Sequence, residues 1–167
     1  MQKVTLRRQR MSDAKRFYEI LSSPRFIYFN RPTSLQDEIT FLSLNKEKQR
    51  QNFEHSFTIL LQGAIVGGCG VKIDQHRPFI GELGYFIDEQ HWGRGIASEA
   101  IALLEPFTFE RLELERLTIM THTKNIASQR VAVKSGFSRE GMLKKAIAIE
   151  NKLHDAYLYA KIQQQRP

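Results

Sequence analysis

One segment constrains the chain more than any other. The strand-like segment GELGYFID leads through Glu89 into Gln90-His91-Trp92-Gly93-Arg94-Gly95-Ile96-Ala97, and a helical pattern follows. Two glycines one residue apart permit a left-handed backbone and close approach of a ligand to the main chain. Their amides, together with the first amides of the helix, can converge on an anion. Arg94 adds a cation beside them. A strand, a glycine bend and a helix in that order form a physical recipe for holding a pyrophosphate. The competing reading is a glycine-rich turn that merely joins strand to helix. A dinucleotide-binding fingerprint would need Gly or Ala where Ser98 stands, and a Walker loop is absent. The segment therefore describes a pyrophosphate site of another kind.

Around it, residue spacing outlines an α+β chain. Val4 to Arg7 starts as a strand. Ser12-Asp13 opens a helix in which Phe17, Tyr18 and Leu21 recur at helical spacing. Thr33-Ser34 opens a second helix, with Gln36 three past Thr33 as in a capping box and Leu35, Ile39 and Leu42 as the apolar stripe. The polar run from Asn45 to Asn52 reads as the solvated end of that helix or as a loop. Phe57 to Leu61 and Ala64 to Val66 flank a tight Gln62-Gly63 turn, and Phe79 to Ile87 adds a further strand. Together these make an antiparallel meander. Beyond the glycine bend, Ile96, Ala100, Leu103, Leu104 and Phe107 share one helix face, and Pro106 predicts a kink there. Leu117 to Met120 reads as a strand and Ile126 to Lys134 as a short helix stopped by Gly136. Leu143 to Ile149 and Ala156 to Ile162 read as strands. The expected architecture is a mixed central sheet of about six or seven strands flanked by about four helices. No linker or repeat interrupts it, so one domain over residues 1–167 is expected.

Composition narrows the class. Of 167 residues, 41% are hydrophobic and 26% charged, which argues against a disordered chain. No apolar run approaches the roughly 18 residues of a bilayer span, so no membrane partner is expected. The opening MQKVTLRRQR has charges without an apolar stretch and does not read as a secretory signal. A single cysteine, Cys69, forms no internal disulfide, which suits a cytoplasmic protein. The net charge of +7 favours a phosphorylated partner, but the basic residues are scattered. The basic arm of a nucleic-acid binder is not evident, so nucleic acid is not the expected partner.

A second segment, Asn125 to Phe137, carries Asn125 as a helix cap, then Ser128, Lys134, Gly136 and Phe137. Taken with Gln90, Gly93 and Gly95, it is similar to the two signature blocks of the GNAT superfamily of acyl-CoA-dependent N-acetyltransferases. Those blocks are Q/R-x-x-G-x-G/A and N-x-x-S/A followed by K-x-G-F. Gly84-Tyr85, the run from His91 to Ala100, Glu140-Gly141 and His154-Asp155 with Tyr159 resemble its RimJ/RimL branch.

The resemblance implies a GNAT-like fold with acetyl-CoA as co-substrate, in a gap between neighbouring strands. Phe86 and Ile87 would offer backbone groups to the pantetheine arm. The amides of Trp92, Gly93, Arg94, Gly95, Ile96 and Ala97 would hold the pyrophosphate. Asn125 would lie near the thioester and Ser128 near the sulfur. It further implies direct attack by a neutral primary amine in a ternary complex. The acceptor is a protein N-terminal amine or a small-molecule amine, and a homodimer is compatible with it. Glu82, two before Gly84, is the candidate base; its alternative role is a strand carboxylate paired with a cation. Ser128 is the candidate proton donor or sulfur contact; its alternative is a helix-cap hydroxyl. Phe29, in a stretch with Phe26, Tyr28 and Arg31, would wall the acceptor pocket with Glu82, the alternative being simple packing; His122, near a strand end, could face that pocket or be a surface or satisfied histidine. The tyrosine that many relatives carry seven residues after the asparagine is Ala132 here, so that acid is lacking. Tyr159 reads as core or pocket wall. A CoA-binding module without catalysis is the alternative function that Ala132 keeps open.

The five histidines lack ligand spacing, so no metal is expected. Cys69 lies among apolar residues and reads as a small buried hydrophobe rather than a nucleophile.

Overall fold

The structure, a computed structural model, describes residues 3–164. Strands β1 (Val4–Arg8), β2 (Glu54–Leu61), β3 (Ala64–Ile73) and β4 (Ile80–Ile87) form the expected antiparallel meander. Gln62 and Gly63 close the β2–β3 hairpin with φ of 52° and 86°, the paired left-handed backbone of a two-residue turn. β4 then lies parallel to β5 (Arg116–His122). A parallel neighbour requires a crossover, and α4 (Ile96–Pro106) supplies it. β7 (Lys152–Ile162) inserts antiparallel between β5 and β6 (Ser138–Ile149), so the sheet order is β1-β2-β3-β4-β5-β7-β6.

Side chains alternate across the sheet, and each face has its own helices. Ile96, Ala97, Ala100, Ile101 and Leu104 of α4 are buried in one cluster with Val71, Leu83, Ile87, Leu117 and Ile119. α5 (Ile126–Lys134) covers the same face, with Ala132 fully buried. On the other face, Phe17 of α1 (Ala14–Leu21) meets Phe86 of β4 edge-on, ring centres 5.2 Å apart. Leu42 of α2 (Leu35–Ser43) is buried with Ala14 and Phe17.

Several expectations shift. The cap of α2 is Ser34, whose hydroxyl accepts from the Asp37 amide at 3.1 Å, while Thr33 bonds the Asp37 carboxylate. Residues Asn45–Arg50 form a separate helix, α3, rather than a loop. It has no buried residue, so no apolar stripe marked it. In α4 the buried stripe takes Ala97 and Ile101, and Leu103 points to solvent. In α2, Leu35 is exposed and Glu38 is buried. Pro106 acts by widening the helix: Leu112 N–H reaches back five residues to the Phe107 carbonyl at 3.1 Å.

A buried ion pair ties the first helix to the meander. Asp13 is 1% exposed and accepts from Arg7 through both oxygens at 2.7 Å. The Thr58 hydroxyl at 2.6 Å and the Arg10 amide at 2.9 Å complete its partners. These four hydrogen bonds offset the desolvation of the buried charge, which costs roughly several kcal/mol per ion.

Candidate active site

The sheet opens at its centre. β4 pairs with β5 from Ile80↔Arg116 to Glu82↔Thr118 and no further. Yet β3 follows β4 to Ile87, and β7 follows β5 to His122. The C-terminal halves of two adjacent strands therefore diverge while each keeps its outer neighbour. A cavity of about 1840 Å³ is lined by residues of both strands, of α5, of the glycine bend and of the α1–α2 segment. A splayed parallel pair leaves backbone groups along the gap without ladder partners, which suits an extended ligand arm.

At one end of the cavity lies the bend. Asp88 is buried, pairs with Arg16, and accepts from the Gln90 amide at 3.1 Å. Trp92 is pinned back onto β4: its indole N–H donates to the Ile87 carbonyl at 2.6 Å. Gly93 and Gly95 have φ of 77° and 78°, and Gly95 caps α4. A side chain there would be strained, which explains both glycines. A Cβ added to Gly95 would lie 3.3 Å from Lys134 Nζ, so this ammonium stands at the bend. Arg94, Arg130 and Lys134 have no ion pair among the described residues. Ile96 and Ala97 are buried and anchor the first turn of α4. Phe86 turns its carbonyl toward β3, where it would meet a Cβ on Gly67.

The two faces of β4 carry different chemistry. Glu82, Gly84 and Phe86 share the α1–α2 face; Leu83, Tyr85 and Ile87 share the α4–α5 face. Glu82 is half-buried, stands opposite Lys72 of β3, and makes no hydrogen bond among the described residues. Burial holds its carboxyl above the usual range, and Lys72 offsets part of that rise. Across the strand, the Tyr85 hydroxyl lies 2.9 Å from Ser128 Oγ. Burial holds the Tyr85 phenol above its ordinary value, against the Ser128 hydrogen bond. Asn125 caps α5 by accepting from the Ser128 amide at 3.1 Å, so the Ser128 hydroxyl is not the cap.

The acceptor-wall candidates are also at the cavity. Phe29 packs edge-on to Phe86 at 5.9 Å. His122 stacks on Tyr28 at 4.8 Å. Its Nδ1 accepts from the Lys124 amide at 3.0 Å, so Nε2 carries the proton and donates to His154 Nδ1 at 3.2 Å. With both nitrogens engaged, His122 offers the cavity a ring face. Burial and the nearby His154 and Lys124 hold its pKa below the usual histidine value.

Three residues gain importance that their spacing did not announce. Tyr85 was legible as part of a motif but not as a partner of Ser128. Lys134 was legible as a motif lysine but not as a neighbour of Gly95. Glu38 gave no signal, because a polar residue in a helix normally faces water. Cys69 is buried as expected, and burial pushes its thiol up to about 12. Among the described residues, no helix is long and apolar enough to cross a membrane, and no group of three or more His, Cys, Asp or Glu gathers as a metal site.

Comparison with known proteins agrees with this geometry. Residues 3–138 match the acetyltransferase (GNAT) domain family. The uncharacterized N-acetyltransferase YoaA of Bacillus subtilis (strain 168) is 34% identical over 72% of this chain and 67% of its own length. The ribosomal-protein-serine acetyltransferase of Escherichia coli (strain K12) is 29% identical over 85% of this chain and 76% of its own. RimJ of Mycobacterium smegmatis in complex with CoA-disulfide superposes with a TM-score of 0.86 at 23% identity, covering 95% of this chain and 81% of that one. The splayed strands, the glycine bend and the family match together establish that this chain belongs to the GNAT acetyltransferase family.

Proposed function

We propose that the protein transfers an acetyl group from acetyl-CoA to a primary amine, by direct attack within a ternary complex. The observation that carries this reading is the loss of β4–β5 pairing beyond Glu82 and Thr118, directly beside a left-handed glycine bend.

The residues present fit such a donor. The bend leaves no side chain over the backbone at Gly93 and Gly95, and Lys134, Arg130 and Arg94 are cations without carboxylate partners among the described residues. Their charge, the amides from Trp92 to Ala97 and the α4 dipole suit a diphosphate. Thr121 Oγ1 is buried without a hydrogen-bond partner on the β5 wall of the cavity, as an acceptor or donor for a polar arm would require. Phe86, Ile87 and Asn125 line the same cavity, although the Phe86 carbonyl faces β3 and the Ile87 carbonyl takes the Trp92 indole N–H.

When bound, acetyl-CoA supplies an acetyl group activated as a thioester. Glu82 faces the α1–α2 side, from which the amine enters, and burial raises its pKa, which strengthens it as a base for the ammonium proton. Gly84 leaves open floor two residues on: a Cβ there would meet nothing within 4 Å. On the opposite face, Ser128 Oγ donates its proton to the departing sulfur and draws another from the Tyr85 hydroxyl. Tyr85 recovers its proton from solvent. The raised pKa of Tyr85 keeps it protonated until that moment. Base and acid thus sit on opposite sides of one strand, with the gap beside it.

This pair supplies an acid where Ala132 cannot, which favours catalysis over a silent CoA-binding module. The name of the Escherichia coli relative, a ribosomal-protein-serine acetyltransferase, supports a protein as acceptor. The single buried cysteine suits a cytoplasmic setting. The test is to mix protein, acetyl-CoA and a panel of peptides and small amines while following free thiol. Amine-dependent thiol release is expected; background release with every amine, alongside firm CoA binding, would defeat the proposal.

A further inference from the structure

We propose that Glu38 is a substrate-recognition residue, and that the preferred acceptor carries a second positive charge which Glu38 grips while Glu82 faces the reacting nitrogen. This rests on the reading of the cavity as an amine site and names the chemistry of its substrate.

Glu38 sits in the first turn of α2, is 6% exposed, and lines the same cavity as Glu82. Its carboxylate has no hydrogen bond or ion pair among the described residues. Two of the other acidic side chains that line the cavity are held by hydrogen bonds, and a third faces a lysine. Glu54 is held by Lys48 at 3.0 Å and by Ser56 at 3.2 Å. Glu82 has Lys72 across the strand. The Asp37 carboxylate accepts from the Thr33 hydroxyl at the helix start. The cation at the rim, Arg31, is spent on Glu150. Glu38 is thus more than nine-tenths buried on the cavity wall with neither a donor nor a nearby cation among the described residues, whereas Glu82 has Lys72. A buried carboxylate without a partner is costly, and a natural chain retains one where a ligand completes it. Acetylation neutralises one amine, so a carboxylate that grips a second charge keeps its hold through the reaction and orients the reacting nitrogen at Glu82.

Two sources could carry this chemistry: a diamine, or a peptide N-terminus followed by a basic residue. The experiment titrates each into the protein–CoA complex by calorimetry: 1,5-diaminopentane against pentylamine, and Ser-Lys-Ala against Ser-Ala-Ala. One of the two dications should bind at least about tenfold more tightly than its singly charged counterpart, the typical worth of a charge-assisted hydrogen bond. Which pair shows the preference identifies the source. Glu38→Gln should erase the preference and leave binding of the counterpart unchanged. No preference in either pair, or a preference that Glu38→Gln retains, overturns the proposal. The wild-type comparison alone keeps it falsifiable should Glu38→Gln fail to fold. Because the readout is binding, a preference without acetyl transfer would sink the proposed reaction and leave the Glu38 site standing. Transfer without a preference would do the reverse.

Discussion

The hydroxyl of Tyr85 lies 2.9 Å from Ser128 Oγ, joining the middle of β4 to the first turn of α5. Two hydroxyls in contact on the cofactor-helix side of the gap make a short proton path. Tyr85→Phe and Ser128→Ala should each lower kcat by about 10- to 100-fold, in the range of a lost general acid. KM for acetyl-CoA should stay within about twofold, since neither change removes a phosphate contact. The double variant should be little worse than either single one, because both act on one path. Steady-state thiol release measures all three, and an unchanged kcat in either single variant would remove the pair from the mechanism.

Glu82 must lose its proton to serve as base, and burial holds its pKa above the usual carboxylate value, with Lys72 offsetting part of the rise. The rate should therefore fall as pH drops through that raised value. The acceptor amine must also be neutral, so log kcat/KM should climb with pH at a slope of about two where both titrate. Glu82→Gln should reduce the slope to about one and lower the plateau. Folding stability runs the other way: a carboxyl raised in the folded state contributes stability at low pH that is lost as pH rises through the raised value. A Glu82→Gln profile that overlays the wild type would return Glu82 to a structural role opposite Lys72.

Lys134 holds its ammonium beside Gly95 without a carboxylate partner. Lys134→Ala should weaken CoA binding by about three- to tenfold, and Lys134→Arg should restore most of it. The loss should shrink as salt rises, because the lysine is exposed and screening acts on it fully. Calorimetry at two salt concentrations reads both effects.

Asp13→Asn leaves Arg7 without its buried counter-charge. It should cost about 3 kcal/mol of folding stability, measured by denaturant titration. Burial alone would raise the Asp13 carboxyl, but the bonds from Arg7, Thr58 and Arg10 outweigh it and hold the value below 3.8. Its contribution is thus present above the ordinary carboxylate range and lost as pH falls through the lower, folded value. The variant should flatten this acid-side loss.

Features set by local chemistry could be read from the chain. The glycine bend was legible because a left-handed backbone is a property of single residues, and Gly93 and Gly95 adopt it. The Gln62-Gly63 hairpin and the Ile126–Lys134 helix followed for the same reason. Long-range relationships were not legible. Nothing in β7 announces that it inserts between β5 and β6, since strand order depends on contacts distant in sequence. Tyr85 was legible as part of a motif but not as the partner of a helix residue. Glu38 escaped notice because a carboxylate reads as solvated, although it lies three past Leu35 and four before Leu42 on the stripe side of α2, where the fold places it at a cavity wall.

The central claim is that the backbone at the bend after Asp88 holds the diphosphate of coenzyme A, and Gly95→Val tests it most directly. The added side chain enters a left-handed site with φ of 78° and crowds Lys134 Nζ at 3.3 Å. Titration calorimetry with coenzyme A, and with pantetheine, which lacks the diphosphate, gives the answer. Coenzyme A affinity should drop at least about tenfold while pantetheine binding holds steady. Undiminished coenzyme A affinity in a folded Gly95→Val protein would contradict the claim.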